Sequence, residues 1–260
     1  MARKKLNTEV VTEENTVTAD MIASIEPAAI DDTETEIAAA LNEATETDLA
    51  PAAQNQASFM DLVSEVTDEQ RETFKARLNE GLDTRVAFER AKSSFNENIQ
   101  RTIKNARNQL TTPGIVAALL SCSVSPDFMN RELRAGDRFN VYAMPKMHDL
   151  AMVLRHGGAF TNKINNAVVT SFVRCWKAGV TFTNDTARWA ASDKYRDVKP
   201  EVLPYLVRHT VSTSTAPTQV SSTFNALETM GLVKNTGTAK NPIWALADTP
   251  QAQRLLEVVA

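Results

Sequence analysis

The chain has 260 residues, 43% of them apolar and 23% charged, with a net charge of -4. This length and a mean hydropathy of -0.28 fit a globular protein with one or two cores. No apolar run approaches the ~20 residues of a bilayer-crossing helix, and no apolar stretch follows the basic start MARKKLNTEV, so this stretch is not expected to be a secretory signal.

The charge is unevenly spread. Residues 1–57 hold three basic and twelve acidic residues, a balance of -9, and the remaining 203 hold 25 basic and 20 acidic, a balance of +5. An acidic leader on a basic body fits a nucleic-acid binder. The leader is rich in Thr, Glu, Asp and Ala and lacks aromatic residues and glycine, so it cannot bury enough surface to order itself. It is expected to be disordered, with a short helix conceivable around Thr35–Asn42.

From Ser58 the pattern becomes helical. Phe74, Leu78 and Leu82 recur at i+4, as do Phe95, Ile99 and Ile103, with Leu110 seven further on. Residues 68–110 therefore read as one or two amphipathic helices, with Gly81 as the break. Between Arg85 and Leu110, six cations (Arg85, Arg90, Lys92, Arg101, Lys104, Arg107) face two glutamates, Glu89 and Glu97. That excess makes Arg101, Lys104 and Arg107 candidate phosphate contacts.

Thr112-Pro113-Gly114 ends the helical stretch, and IVAALLSCSV (115–124) reads as a buried helix. Ser125-Pro126-Asp127 begins a turn. RFNVYAM (138–144) is rich in β-branched and aromatic residues and is expected to be a strand stopped by Pro145. Cys122 and Cys175 both lie in apolar stretches and are expected to be buried thiols.

The C-terminal half contains an internal repeat. LRHGGAFTNKINNAVVTSFVRCWKAGVTF (154–182) is echoed by VRHTVSTSTAPTQVSSTFNALETMGLVK (207–234). At an offset of 52, Val168, Phe172, Cys175 and Gly179 match Val220, Phe224, Leu227 and Gly231. One residue of slack aligns Arg155-His156 with Arg208-His209, and ARWAASD (187–193) echoes IWALAD (243–248). Each copy places buried positions at i, i+4 and i+7 of a helix, a terminating glycine, and then two short strands around a polar loop. The second strand is expected to carry Trp189 or Trp244.

The segment TQVSSTFNALETMGLVK (218–234) resembles the third helix and first wing strand of MarR-like winged-helix domains, and PIWALADTPQAQRLLEVV resembles their second wing strand and closing helix. The resemblance covers about 200–260 well and 147–195 more loosely. It implies two tandem winged-helix-like repeats with nucleic-acid contact, although winged helices also serve as protein-interaction modules.

Carried onto this chain, it exposes Thr218, Gln219, Ser221, Ser222, Asn225 and Thr229, with Lys234 and Lys240 on the wing. The first copy would expose Lys163, Asn165, Asn166, Thr170, Arg174 and Lys177, with Arg188 on its wing. The second copy's helix contains no Arg or Lys, the residues that commonly read guanine edges. The more basic first copy is thus the expected backbone contact. Trp176, Trp189 and Tyr195 lie beside cations, Tyr195 between Lys194 and Arg196, and are candidates for base stacking.

No Gly-rich phosphate loop, metal-ligand spacing or nucleophile motif is present, so neither catalysis nor a cofactor is expected. The expected architecture is mainly α with small β wings (α+β). It comprises an acidic leader (1–57), a helical basic region (58–146) and winged-helix-like repeats at 147–199 and 200–260. The expected function is that of a DNA-binding accessory protein of transcription or replication. It would act in the cytoplasm, on single-stranded DNA or the DNA backbone, with weak sequence preference. An RNA polymerase or replication protein is a candidate partner, a membrane is not, and a homo-oligomer is left open. As a whole the chain resembles the phage-encoded single-stranded-DNA-binding polymerase cofactors of podoviruses, where the host cytoplasm would be the location. The alternatives are a sequence-specific double-stranded DNA regulator and a protein-interaction adaptor.

Overall fold

The computed structural model describes residues 57–92, 96–134 and 137–259, with side chains omitted at 133, 134 and 137. Almost all of the acidic leader, including the expected Thr35–Asn42 helix, lies outside the described residues. The rest is mainly helical with small β elements: α1 (Phe59–Glu65), α2 (Asp68–Ala91), α3 (Glu97–Leu110), α4 (Pro113–Ser121), β1 (Glu132–Arg134), β2 (Asp137–Arg138), α5 (Met144–His156), α6 (Lys163–Lys177), β3 (Phe182–Thr183), α7 (Asn184–Ala191), α8 (Ala216–Thr229), β4 (Val233–Asn235), β5 (Ile243–Leu246) and α9 (Pro250–Val258).

Local chemistry sets the helix starts. Ser58 and Thr67 cap α1 and α2 through reciprocal capping boxes with Asp61 and Gln70, each satisfying backbone donors that the helix leaves free. Asn96 and Asn162 cap α3 and α6. The 68–110 stretch does form two helices, but the break falls between Ala91 and Glu97, not at Gly81. Helix α2 runs through Gly81 because that glycine answers to packing. A Cβ there would come within 2.9 Å of both Asp127 Oδ1 and Met129 Sδ, and its carbonyl accepts a 2.8 Å bond from Asn130 Nδ2. Gly81→Ala is expected to lower stability by about 1–3 kcal/mol through overpacking, despite alanine's better helix propensity. Thermal denaturation checks the sign.

The buried helix expected within 115–124 is α4, with Pro113 in its first turn, where proline is well tolerated. The strand expected over 138–144 is largely absent. Only Arg138 is in a strand, paired with Glu132 in the short β1–β2 hairpin. Asn140 then accepts from the Tyr142 N–H and turns the chain into a 3-10 turn, Val141–Ala143. Pro145 opens α5 and does not stop a strand. Burial of Phe139, Val141, Ala143 and Met144 produced the apolar run that reads as β.

The repeat is real where its helices end and fails beyond. Val168, Phe172 and Cys175 are buried in α6, as are Val220, Phe224 and Leu227 in α8. Gly179 and Gly231 have φ of 68° and 62°, the left-handed closure that glycine favours. The following residues complete the same bond, Val180 N–H to Cys175 O (2.8 Å) and Leu232 N–H to Leu227 O (2.9 Å).

After the glycines the copies diverge. In the second, Asn235 Oδ1 accepts from the N–H groups of Gly237 and Ile243, and β4 and β5 pair antiparallel around a polar turn. In the first, the expected second strand with Trp189 is helix α7. Its loop is three residues shorter and lacks the glycine, and Thr183 caps a helix by accepting from Thr186 N–H. The first copy therefore has no wing. The aligned Arg155-His156 and Arg208-His209 differ too: the former end α5, whereas Arg208 bonds the carbonyls of Trp189, Ser192 and Tyr195 across a loop.

Strand β3 instead pairs antiparallel with β5, placing Phe182 opposite Trp244, so one three-stranded sheet of order β3-β5-β4 draws on both copies. An aromatic series links them. Phe182 packs edge-on to Phe172 at 5.5 Å and lies 6.3 Å from Phe224, which stacks on Trp244 at 4.0 Å. One apolar core runs from Phe59 to Val259, and the boundaries expected at 146/147 and 199/200 fall inside it.

Beneath α8 lies a buried polar network. Lys146 donates to Gln219 O (3.2 Å) and Thr223 Oγ1 (2.7 Å). Asp149, one turn along α5, accepts from Thr161 N–H and Oγ1, Asn162 N–H and Asn165 Nδ2.

Candidate nucleic-acid interface

The solvent side of α8 carries Thr218 and Ser221, exposed, and Gln219 and Asn225, half-buried. These are short polar groups able to bond phosphate and sugar oxygens. Ser222 is buried, its Oγ returned to Gln219 O, so it is removed from the expected face. Every third or fourth residue of an amphipathic helix turns inward, and Ser222 falls on the Val220–Phe224–Leu227 side.

Two clefts flank this face. One, of about 340 Å³, lies between α8 and the β4–β5 hairpin and is lined by Ser221, Asn225, Asn235 and Trp244, with Arg188 and Glu228 as its two charged groups. The other, of about 530 Å³, lies between α8 and the N-terminal helices and is lined by Ser221, Asn225, Arg85, Lys92, Arg138 and Tyr142. The cations absent from α8 are thus supplied by other elements. Arg188 comes from α7, Lys92 from just beyond the end of α2, and Arg138 from β2. Arg131 reaches Thr229 Oγ1 at 3.3 Å. Its charge opposes the effect of burial on Glu228, whose carboxyl pKa is nevertheless raised. Lys234 and Lys240 are exposed on the hairpin. Arg188 and Lys240 also line a groove of about 630 Å³ on the β3 side. Arg188 pairs with Asp185 at 3.2 Å, an exposed contact of the kind worth little and easily exchanged for a phosphate.

The first copy offers less than its sequence implies. Asn165 and Thr170 are buried, and Asn165 serves Lys146 O and Asp149. They lie on the inward side of α6, which packs against α7 and α8. Lys163, Arg174 and Lys177 are exposed and Asn166 half-buried, but none of the four lines either cleft. Lys177 bonds Val259 O. Arg101 and Lys104 are exposed on α3, whereas Arg107 ties α3 to α2 through Asp83 and Asn79.

The three aromatic candidates differ in exposure. Trp189 is 7% exposed and Trp176 43%. Tyr195 is half-buried and donates from its hydroxyl to Thr213 O. Its neighbours Lys194 and Arg196 are exposed. Arg138 and Tyr142 lie in the run 138–144, which reads as a strand, and Arg131 lies outside every motif, so none of the three is legible in the sequence as part of this surface.

Cys122 and Cys175 are buried and unpaired. Burial pushes both thiols up, Cys175 to about 11, so neither is a thiolate nucleophile at neutral pH. Among the described residues no group of three or more His, Cys, Asp or Glu is placed to hold a metal ion, and no helix is long and apolar enough to cross a membrane.

Comparison with family models, curated proteins and solved structures finds no match for the chain.

Proposed function

We propose that residues 163–246 form a single winged helix and that the protein is a DNA-binding accessory factor of transcription or replication, gripping the DNA backbone with weak sequence preference. The order α6, β3, α7, α8, β4, β5 with sheet order β3-β5-β4 supports one such unit in place of two in tandem. In this reading the two sequence copies supply its first and third helices.

The observation that carries the functional reading is the α8 face, small and polar apart from Glu228, held between one cation-lined cleft and one that sets Arg188 against Glu228, with lysines on the adjoining hairpin. Such a face bonds phosphates and sugars, and since the bidentate Arg–guanine contact has no donor on α8, base reading is limited to what Gln219 and Asn225 could make with adenine. The test is a low-salt titration of the full chain against duplex and single-stranded DNA of mixed sequence. Binding that weakens linearly in log salt and varies little with sequence is expected. No binding to either DNA would end this reading and favour a protein partner for the same face.

A further inference from the structure

The cleft between α8 and the N-terminal helices is built differently from a flat phosphate-binding surface. Its floor is a buried ion pair: Arg85 and Glu89 are 4% and 5% exposed and are joined at 2.8 Å, with Arg85 also donating to Met129 O. Phe88, next to that pair on α2, is flanked by two cations of the cleft. The Arg138 guanidinium lies 3.8 Å from its ring centroid and Lys92 Nζ 4.6 Å. Cation–π packing of this kind holds long side chains in place. At the mouth stands Tyr142, 38% exposed, anchored by its backbone N–H on Asn140 Oδ1 at 3.0 Å. Three cations thus line the cleft against one carboxylate, Glu89, which pairs with Arg85 and, at 3.6 Å, with Lys92.

From this geometry we infer that the cleft receives an unpaired nucleotide, so that the protein recognises a duplex–single-strand junction. Arg138 and Lys92 bind its phosphate and Tyr142 stacks on its base. This rests on the DNA-binding reading of α8. Ser221 and Asn225 line both clefts, so a strand following α8 meets this one without leaving the surface. The volume of about 530 Å³ falls in the ~300–1,000 Å³ range of sites for small organic groups. A base within a duplex is already stacked on its neighbours and is not free to enter, whereas an unpaired one gains an aromatic face.

The experiment compares binding of the full chain to a blunt duplex and to the same duplex with an oligothymidine overhang. The overhang is expected to tighten binding by about tenfold. Tyr142→Ala should abolish that gain and Tyr142→Phe, which keeps the ring, should retain it, with blunt-duplex affinity unchanged in both. Lys92→Ala/Arg138→Ala should lower the salt slope for the overhang substrate by about 0.7, the contribution of one single-strand phosphate. An overhang that adds nothing to a duplex that does bind, or a gain that survives Tyr142→Ala, overturns the junction inference alone. Failure to bind any DNA overturns the DNA-binding reading and the inference with it.

Discussion

Arg188→Ala/Lys234→Ala/Lys240→Ala is expected to weaken duplex binding far more than any other triple removal of charge from the surface. All three side chains border the α8–hairpin region, Arg188 and Lys240 sharing the groove beside β3. A cation that neutralises one phosphate of B-DNA adds about 0.9 to the salt slope, so three contacts predict a loss of about 2.7. The same linkage makes each contact worth on the order of tenfold in affinity near 0.1 M salt. The control variants are Arg101→Ala/Lys104→Ala on α3 and Arg174→Ala/Lys177→Ala on α6, whose residues line neither cleft. They should shift affinity by a few-fold at most. Equal losses in all three variants would mean that DNA is held by diffuse charge and that α8 has no special part. Affinities and slopes from fluorescence anisotropy decide, with circular dichroism to verify that each variant is folded.

The largest effect on stability is expected from Asp149→Ala. Asp149 is 3% exposed and accepts from two backbone N–H groups, a hydroxyl and an amide. Its removal strands those donors at the start of α6, and leaves Lys146 without its neighbouring negative charge. Unsatisfied buried donors cost about 1–3 kcal/mol each, and loss of one member of a buried charged network about 3–5 kcal/mol in all. The melting temperature should fall by roughly 10 °C.

Lys146 adds a pH dependence of definite sign. Burial lowers its pKa from 10.5 to about 7, with Asp149 pulling the other way. Below about pH 7 the lysine is protonated in both states, and its buried charge opposes folding in full. Between 7 and 10.5 the unfolded chain keeps a proton that the folded chain has released, so on this group's account stability rises with pH. Lys146→Met should flatten that rise in denaturant titrations between pH 7 and 10. An unchanged profile would mean that the lysine is charged in the fold throughout that range.

The sequence made one kind of information available and concealed another. Helical spacing found α2, α3, α4 and the matched faces of α6 and α8, because burial of Val168, Phe172 and Cys175, and of Val220, Phe224 and Leu227, repeats with the helix turn. The glycines at 179 and 231 were legible as helix ends for the same local reason. What comes after them depends on loop length and on the presence of Gly237, and there a resemblance between ARWAASD and IWALAD concealed a helix set against a strand. The run 138–144 misled because residues buried in an irregular turn are as apolar as those in a strand. The candidate site was half legible. Thr218, Ser221, Asn225, Lys234 and Lys240 followed from the α8 and hairpin pattern. Arg131, Arg138 and Tyr142 did not, because they approach α8 from about 80 to 100 residues away, and only tertiary packing brings them there.

The pairing of β3 with β5 has a consequence for how the C-terminal half can be divided. Two strands of three lie after residue 200 and the third lies before it. A fragment beginning at 200 would therefore present β5 with an unpaired edge and leave Phe224 and Trp244 without Phe182 beside them. Open edges recruit strands from other chains. The two sequence copies are therefore not two modules that could be inherited, swapped or expressed one at a time. They are halves of one object, each the other's missing partner.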